Sequence, residues 1–217
     1  MQIQGARTNP AAANIGSGNS QTVGMGPSGD LFMANIHGRF YNSTIAGNVF
    51  SLATAVAGTT IPVQATNLVS TFTLWNPVGS GKNVELIRYT LGLTTATTVV
   101  GDIGLYYQSG VGGAVTAPGT LTGLTIRNTI LGAGVTAVSS GYSAATLVNV
   151  TGTNFFRLLT LAGPGAVTAN NVLPINYDFD GAVVMPPGTL VTVAGFAAQT
   201  AAMCQTLIFA EYPILTS

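Results

Sequence analysis

Residues 72–93, FTLWNPVGSGKNVELIRYTLGL, decide how this chain is interpreted, because Gly79-Ser80-Gly81-Lys82 resembles a phosphate-binding loop. Such a loop needs a glycine five positions before Gly81 and a hydroxyl residue after Lys82, because the hydroxyl holds a magnesium ion. Asn76 and Asn83 occupy these two positions. The following VELIRYTLGL has a strand pattern, whereas a phosphate loop leads into a helix. The stretch therefore predicts a β-hairpin whose turn is Pro77 to Gly81.

The sequence around this stretch predicts an all-β domain. β-Branched and aromatic runs alternate with glycine and proline, and Pro186-Pro187-Gly188 is a turn signal between two runs. The piece AAQTAAMCQTLIF could begin as a short helix, but its second half favours a strand. We expect a two-sheet sandwich of jelly-roll type, because eight to eleven strands exceed the seven of an immunoglobulin domain. The predicted strands lie near 47–56, 67–76, 83–93, 97–108, 120–128, 145–151, 154–161, 172–178, 182–185, 189–197 and 204–212.

The N-terminal segment differs from the rest of the chain. It is rich in Gly, Asn, Ser and Ala and has neither the period of a strand nor that of a helix. We therefore predict an extended N-terminal arm over residues 1–38 and a single β-sandwich domain over residues 39–217. The apolar region of a secretory signal is missing after Arg7, so a signal is not expected and the chain is predicted to be made in a cytoplasm.

Charge is unusually scarce in this chain. Lys and Arg total 6 and Asp and Glu total 6, which is 6% of the residues, whereas about 25% is ordinary. A soluble monomer normally has a mixed charged surface, so much of this surface is expected to contact protein. Nucleic acid is not a predicted partner, because it would require clustered Lys and Arg. A membrane is not predicted either, because no run of 18 apolar residues occurs.

The sequence contains no recognisable catalytic constellation. His37 is the one histidine, and neither of its neighbours belongs to a nucleophile motif. Cys204 is the one cysteine, which excludes an intrachain disulfide, and we expect it to be buried and structural. Asp178 and Asp180 could bind calcium, but a solvated turn is favoured. We therefore predict no enzyme, no catalytic residue, no cofactor and no metal.

Two features near the end of the chain indicate an interface. Glu211 lies among apolar residues in LIFAEYPI, which predicts an ion pair within the chain or across a subunit boundary with Arg88, Arg127 or Arg157. Glu211 and Tyr212 are therefore candidate interface residues. The pairs Tyr106-Tyr107 and Phe155-Phe156 point to opposite faces of a strand, so one member of each pair should lie outside the sheet core.

The hairpin FTLWNPVGSGKNVELIRYTLGL, the segment MPPGTLVTVAG and the closing LIFAEYPI together resemble virion proteins of tailed bacteriophages, especially jelly-roll capsid decoration (cement) proteins. The resemblance extends over residues 65 to 215. It implies a homotrimer bound to the major capsid protein on the capsid surface of the virion, with a stabilising and non-enzymatic role. Arm residues expected to contact neighbouring subunits are Arg7, Asn14, Asn19, Met25, Phe32 and Met33.

Two other functions remain open from the sequence. Glycine-rich loops around 109–119 and 132–141 would suit a phage tail or fibre protein whose β-domain binds a receptor. A sandwich-fold polysaccharide hydrolase would need two suitably spaced carboxylates, and six acidic residues offer few choices.

Overall fold

The computed structural model describes residues 38–64, 67–95, 101–109, 119–148, 154–161, 174–197, 199 and 201–214. The chain divides after Tyr41, and the unit Asn42–Ser217 contains every strand. One short helix, α1 (Tyr41–Ile45), precedes the strands. The strands are β1 (Val49–Ala53), β2 (Thr59–Thr60), β3 (Asn67–Ser70), β4 (Thr73–Asn76), β5 (Lys82–Leu93), β6 (Gly101–Ser109), β7 (Gly119–Leu124), β8 (Ile126–Asn128), β9 (Ser140–Val148), β10 (Asn154–Leu161), β11 (Ile175–Met185), β12 (Thr189–Gly195) and β13 (Ala202–Pro213).

These strands form two antiparallel sheets that pack as a sandwich, which confirms the predicted all-β, two-sheet fold. Sheet 1 has the order β11-β5-β13-β1-β8, with β2 also paired to β13. Sheet 2 has the order β10-β6-β12-β4-β9-β3, with β7 also paired to β9.

The strand order has a jelly-roll pattern. Strands β1, β4, β5 and β6 from the first half of the chain pair with β13, β12, β11 and β10 from the second half, in reverse order. Successive pairs alternate between the sheets, since β1–β13 and β5–β11 lie in sheet 1 and the other two pairs lie in sheet 2. The chain is therefore a long antiparallel ribbon wrapped around a core, as in jelly rolls.

The opening stretch is a corner between the sheets, so its interpretation as a hairpin is wrong. Strand β4 pairs with β12 and β9 in sheet 2, and β5 pairs with β13 and β11 in sheet 1. Each strand already has a hydrogen-bonded neighbour on both sides, so the two strands cannot pair with each other. Gly79 and Gly81 turn the chain with φ of 79° and 68°, values that favour glycine.

The predicted turn at Pro186-Pro187-Gly188 is confirmed. It ends β11 and begins β12, with Gly188 at a φ of 78°. Because β11 belongs to sheet 1 and β12 to sheet 2, this turn is a second corner between the sheets.

An insertion between β6 and β10 extends the sandwich at one side. It contains β7, β8 and β9. Strand β8 pairs with β1 in sheet 1, and β9 pairs with β4 in sheet 2. Strand pairing of this kind covers edges that would otherwise offer free backbone groups to other chains.

The core lies between the sheets and is apolar. Phe50 and Phe209 stack with centroids 5.8 Å apart, and Phe156 meets Phe179 edge to face at 5.1 Å. Burying one such side chain contributes about 1.5–3 kcal/mol relative to leaving it exposed. The prediction that one tyrosine of the pair lies outside the core between the sheets is confirmed, since Tyr106 belongs to a second apolar cluster, and Tyr107 is 44% exposed.

Local predictions of strands differ from the structure in several places. The segments 67–76 and 120–128 each contain two strands. Strands β3 and β4 pair with β9 in separate stretches, whereas β7 pairs with β9 and β8 pairs with β1 in the other sheet. The segments 172–178 and 182–185 belong to one strand, β11, whose pairing register shifts between Asp178 and Val183. The helix α1 was not predicted. In AAQTAAMCQTLIF, residues 197–209, the described residues 197, 199 and 201 are not helical, and the strand predicted for the second half is confirmed, since β13 begins at Ala202. Among the described residues, no helix is long and apolar enough to span a membrane.

Candidate functional site

Asn76 links the two corners of the sandwich. Its side chain is fully buried, and its Nδ2 donates to the backbone oxygens of Lys82 at 2.8 Å and Met185 at 2.9 Å. Its own backbone oxygen accepts from the Gly188 N–H at 2.8 Å. The Asn76 side chain therefore fixes the start of β5 and the end of β11, and its backbone oxygen fixes the turn that follows β11.

Glu211 is fully buried beside this corner and is held by three donors. Its Oε2 lies 3.3 Å from Lys82 Nζ and accepts from the Val138 N–H at 3.0 Å, and its Oε1 accepts from the Ser139 N–H at 2.8 Å. Buried carboxylates require such pairing because desolvation of a charge costs several kcal/mol. Glu211 thus connects β13, the beginning of β5 and the segment that precedes β9.

The predicted ion pair of Glu211 exists within the chain, but its predicted partners are wrong. Arg88 pairs with Asp178 at 2.5 Å, and Arg157 pairs with Asp102 at 3.0 Å. Lys82 reaches Glu211 instead, because β5 and β13 are adjacent and Lys82 is opposite Pro213 in their register. In the sequence, Glu211 lies among apolar residues, which indicates that it has a charged partner but does not identify that partner.

The other predicted interface residues have different outcomes. The Tyr212 hydroxyl donates to Ser43 Oγ at 2.6 Å, which fastens the end of β13 to α1. Its side chain is half-buried, and its role at a subunit boundary stays a prediction. The arm candidates lie outside the described residues, as does His37: these are Arg7, Asn14, Asn19, Met25, Phe32 and Met33.

The outer face of sheet 1 carries a groove of about 640 Å³ where β1 meets the insertion. Ser51 and Ala53 of β1, Ile208 of β13 and Arg127 of β8 are among the residues that line it, with Leu131 beside them. Leu131 is 95% exposed. Within the described part of the chain, the Arg127 guanidinium has no ion-pair partner. The groove therefore combines apolar contact area with one available positive charge, a feature that the sequence did not reveal.

The outer face of sheet 2 is different, because much of it is buried. Tyr106, Tyr142, Leu190 and Ala194 form a second apolar cluster, and Trp75 packs against it. Beside this cluster, the hydroxyls of Ser70, Thr73 and Thr192 hydrogen-bond to one another. This cluster is packed, but within the described part of the chain Trp75 Nε1 is buried without a hydrogen-bond partner, and the exposed Arg157 of the same sheet is paired with Asp102.

The titratable groups of the described chain do not assemble into a reactive centre. Cys204, expected to be buried, is only half-buried, and its Sγ lies 3.3 Å from the Val56 oxygen. Its position on the outer face of sheet 1, near the strand end, explains the exposure. Burial raises the pKa of Tyr89 well above its ordinary value, and its hydroxyl donates to Gln205 Oε1 at 2.8 Å.

Asp178 and Asp180 are both exposed on β11. Asp178 is engaged by Arg88, and this hydrogen bond, followed by the charge of Asp178, raises the pKa of Arg88. Among the described residues, no group of three or more His, Cys, Asp or Glu side chains could hold a metal ion.

Comparison with known proteins found no matching family model, no matching curated sequence and no matching solved structure.

Proposed function

We propose that this protein is a non-enzymatic structural subunit of a virion: a capsid decoration (cement) protein that binds the major capsid protein as a homo-oligomer and stabilises the lattice of a tailed phage. The jelly-roll order of the strands supports the proposal, because viral capsid domains use this architecture. Lectins and cupins use it as well, so the fold alone cannot identify the function.

The observation that carries the proposal is the near absence of free charge on the described surface. Three ion pairs, Lys82–Glu211, Arg88–Asp178 and Arg157–Asp102, consume charges that are already scarce. A monomer in water would benefit from charges of both signs spread over its surface. An uncharged surface is favourable when it is covered by other subunits, since burying unpaired charges at an interface is costly.

In the proposed mechanism, the β-domains bind by shape and apolar burial, and the arm extends across neighbouring subunits on assembly. The arm sequence supports this role, because it lacks the hydrophobic periodicity needed to form a packed unit by itself. In this proposal, the protein is synthesised in the host cytoplasm and then binds to the outer surface of the capsid.

Deletion of residues 1–35 is expected to abolish or strongly weaken attachment to capsids that lack the protein. The full chain should bind saturably and raise the capsid melting temperature, because a ligand at about 100 times its Kd stabilises its target by about 2.7 kcal/mol per site. Cosedimentation measures the binding and calorimetry the stability. Undiminished attachment of the shortened chain would contradict the role of the arm, and failure of the full chain to bind would contradict the proposed function.

A second candidate, a tail or fibre protein with a receptor-binding β-domain, is favoured by one observation. The groove beside Arg127 has a volume within the range of small-molecule sites, about 300–1,000 Å³. Saturable binding of a host-surface glycan that is lost in Arg127→Ala, together with no effect on capsid stability, would favour this candidate over capsid decoration.

A further inference from the structure

The outer face of sheet 1 contains two charged side chains of opposite sign that have no ion pair within the described chain. Arg127 lies on β8, at one side of the sheet, and Glu85 lies on β5. Arg88 and Asp178 on the neighbouring part of the sheet form an ion pair with each other, and the charge of Asp180 also acts on Arg88. Unpaired opposite charges are notable in a chain where only 6% of residues are charged.

Glu85 and Arg127 occupy the same face of the sheet. Val84 and Leu86 are fully buried in the core, so Glu85 between them points outward. Phe50 and Leu52 on β1 are likewise buried, so Ser51, the register partner of Arg127, points outward. Two strands, β13 and β1, separate β5 from β8. The backbones that carry the two charges are therefore about 14 Å apart across the face.

The surroundings of the two charges are complementary. Glu85 is opposite Val184, an apolar side chain that is 52% exposed on β11. Arg127 lines the groove together with Leu124 and Ile208, and Leu131 is fully accessible beside it. One side of the face thus presents a carboxylate next to a valine, and the other presents a guanidinium in a groove with apolar walls.

The Glu85 carboxylate occupies space that a glycine on β11 leaves open. A Cβ atom at Gly181 would lie 1.7 Å from Glu85 Oε1, so the glycine leaves the space that this carboxylate occupies. Gly181 also has a φ of 83°, which an L side chain rarely adopts. The carboxylate therefore lies against the backbone of β11 at Gly181, on the same side of the sheet as the exposed Val184.

Between the two charges the face is nearly uncharged and its side chains are short. On the two intervening strands, Ser51 and Ile208 are in line with Arg127, and the buried Val49 and Ala210 are in line with Glu85. A surface of this kind can approach a second sheet closely, because it has few long side chains to immobilise.

We propose that this face is a self-association surface. Glu85 and Val184 of one copy enter the groove beside Arg127 of a second copy, and the same two residues of the second copy enter the groove of the first. The contact is two-fold, because both charges lie on one face and a self-complementary patch generates a two-fold axis. Two equivalent Glu85–Arg127 ion pairs would form. The inference rests on the proposed function, which requires a homo-oligomer, and it differs from the trimer that the resemblance implies, because it joins copies in pairs.

The test is a charge-swap cycle on the full-length chain, followed by sedimentation velocity over a range of concentrations. Arg127→Glu and Glu85→Arg should each weaken self-association at least about tenfold, because each places like charges opposite each other. The double variant should restore association, since the pair is rebuilt with reversed polarity. Arg157→Glu is the matched control: it makes the same change of charge on an exposed residue of sheet 2 and should leave association unchanged. Circular dichroism checks that each variant is folded.

The outcomes separate this inference from the proposed function. If the native chain associates and both single variants associate equally well, or if the double variant stays as weak as the single ones, the assigned surface is wrong while a homo-oligomeric subunit remains supported. If the native chain is a monomer at every concentration and also fails to bind capsids, both the surface and the proposed function are overturned.

Discussion

Glu211→Ala is expected to lower the free energy of unfolding by about 3–5 kcal/mol, the cost typical of breaking a buried ion pair by removal of one partner. The alanine would leave the N–H groups of Val138 and Ser139 without their acceptor, and Lys82 without its counter-ion. For a domain of this size, each kcal/mol lowers the melting temperature by about 2–4 °C. Denaturant titration with a thermal scan measures both quantities.

Two variants make this expectation specific. Glu211→Gln keeps the shape and one acceptor oxygen, so its cost should be smaller, about 1–3 kcal/mol. Glu85→Ala removes an acidic residue of β5 that has no ion pair among the described residues, and should change stability by about 0.5 kcal/mol or less in the unassociated chain. If Glu211→Ala cost no more than Glu85→Ala, the buried pair would not stabilise the corner.

Asn76→Asp is expected to destabilise the protein by about 3 kcal/mol or more, although the two side chains have the same shape. The change replaces an N–H donor with an oxygen that faces two backbone oxygens now 2.8 and 2.9 Å from Nδ2. Asn76→Ala should cost about 2 kcal/mol, because it leaves the two carbonyls unpaired without adding repulsion. Equilibrium unfolding of both variants gives the comparison.

The matched control for Asn76 is Asn83→Asp, the same change at a half-exposed position on β5. This variant should change the free energy of unfolding by about 0.5 kcal/mol or less. If Asn76→Asp and Asn83→Asp lowered the free energy of unfolding equally, the Asn76 side chain would not link the corners.

The sequence predicted the strand content of the fold well, because alternation is a local property. Ile103 and Leu105, two positions apart in the predicted strand 97–108, are both buried in the core, as strand alternation requires. The sequence could not distinguish a hairpin from a corner at residues 72–93, since the two connections share the same turn residues and the same flanking strands. That distinction depends on which distant strands, β12 and β13, occupy the sides of β4 and β5.

The candidate sites were predicted less well, because they depend on pairing across long stretches of sequence. Glu211 was identified as a buried acid, but its partner Lys82 is 129 residues away and is brought close by the β5–β13 register. Arg127 and Glu85 stand out only after the other charges have been paired, which requires the structure. The position of the insertion beside β1 likewise follows from long-range strand pairing.

Electron microscopy of the phage particle that we propose contains this protein tests the central claim most directly. The account predicts jelly-roll densities on the outer surface of the capsid lattice, in contact with the major capsid protein and with other copies of the chain. Particles that contain this protein only in the tail, or in no part of the virion, would contradict it.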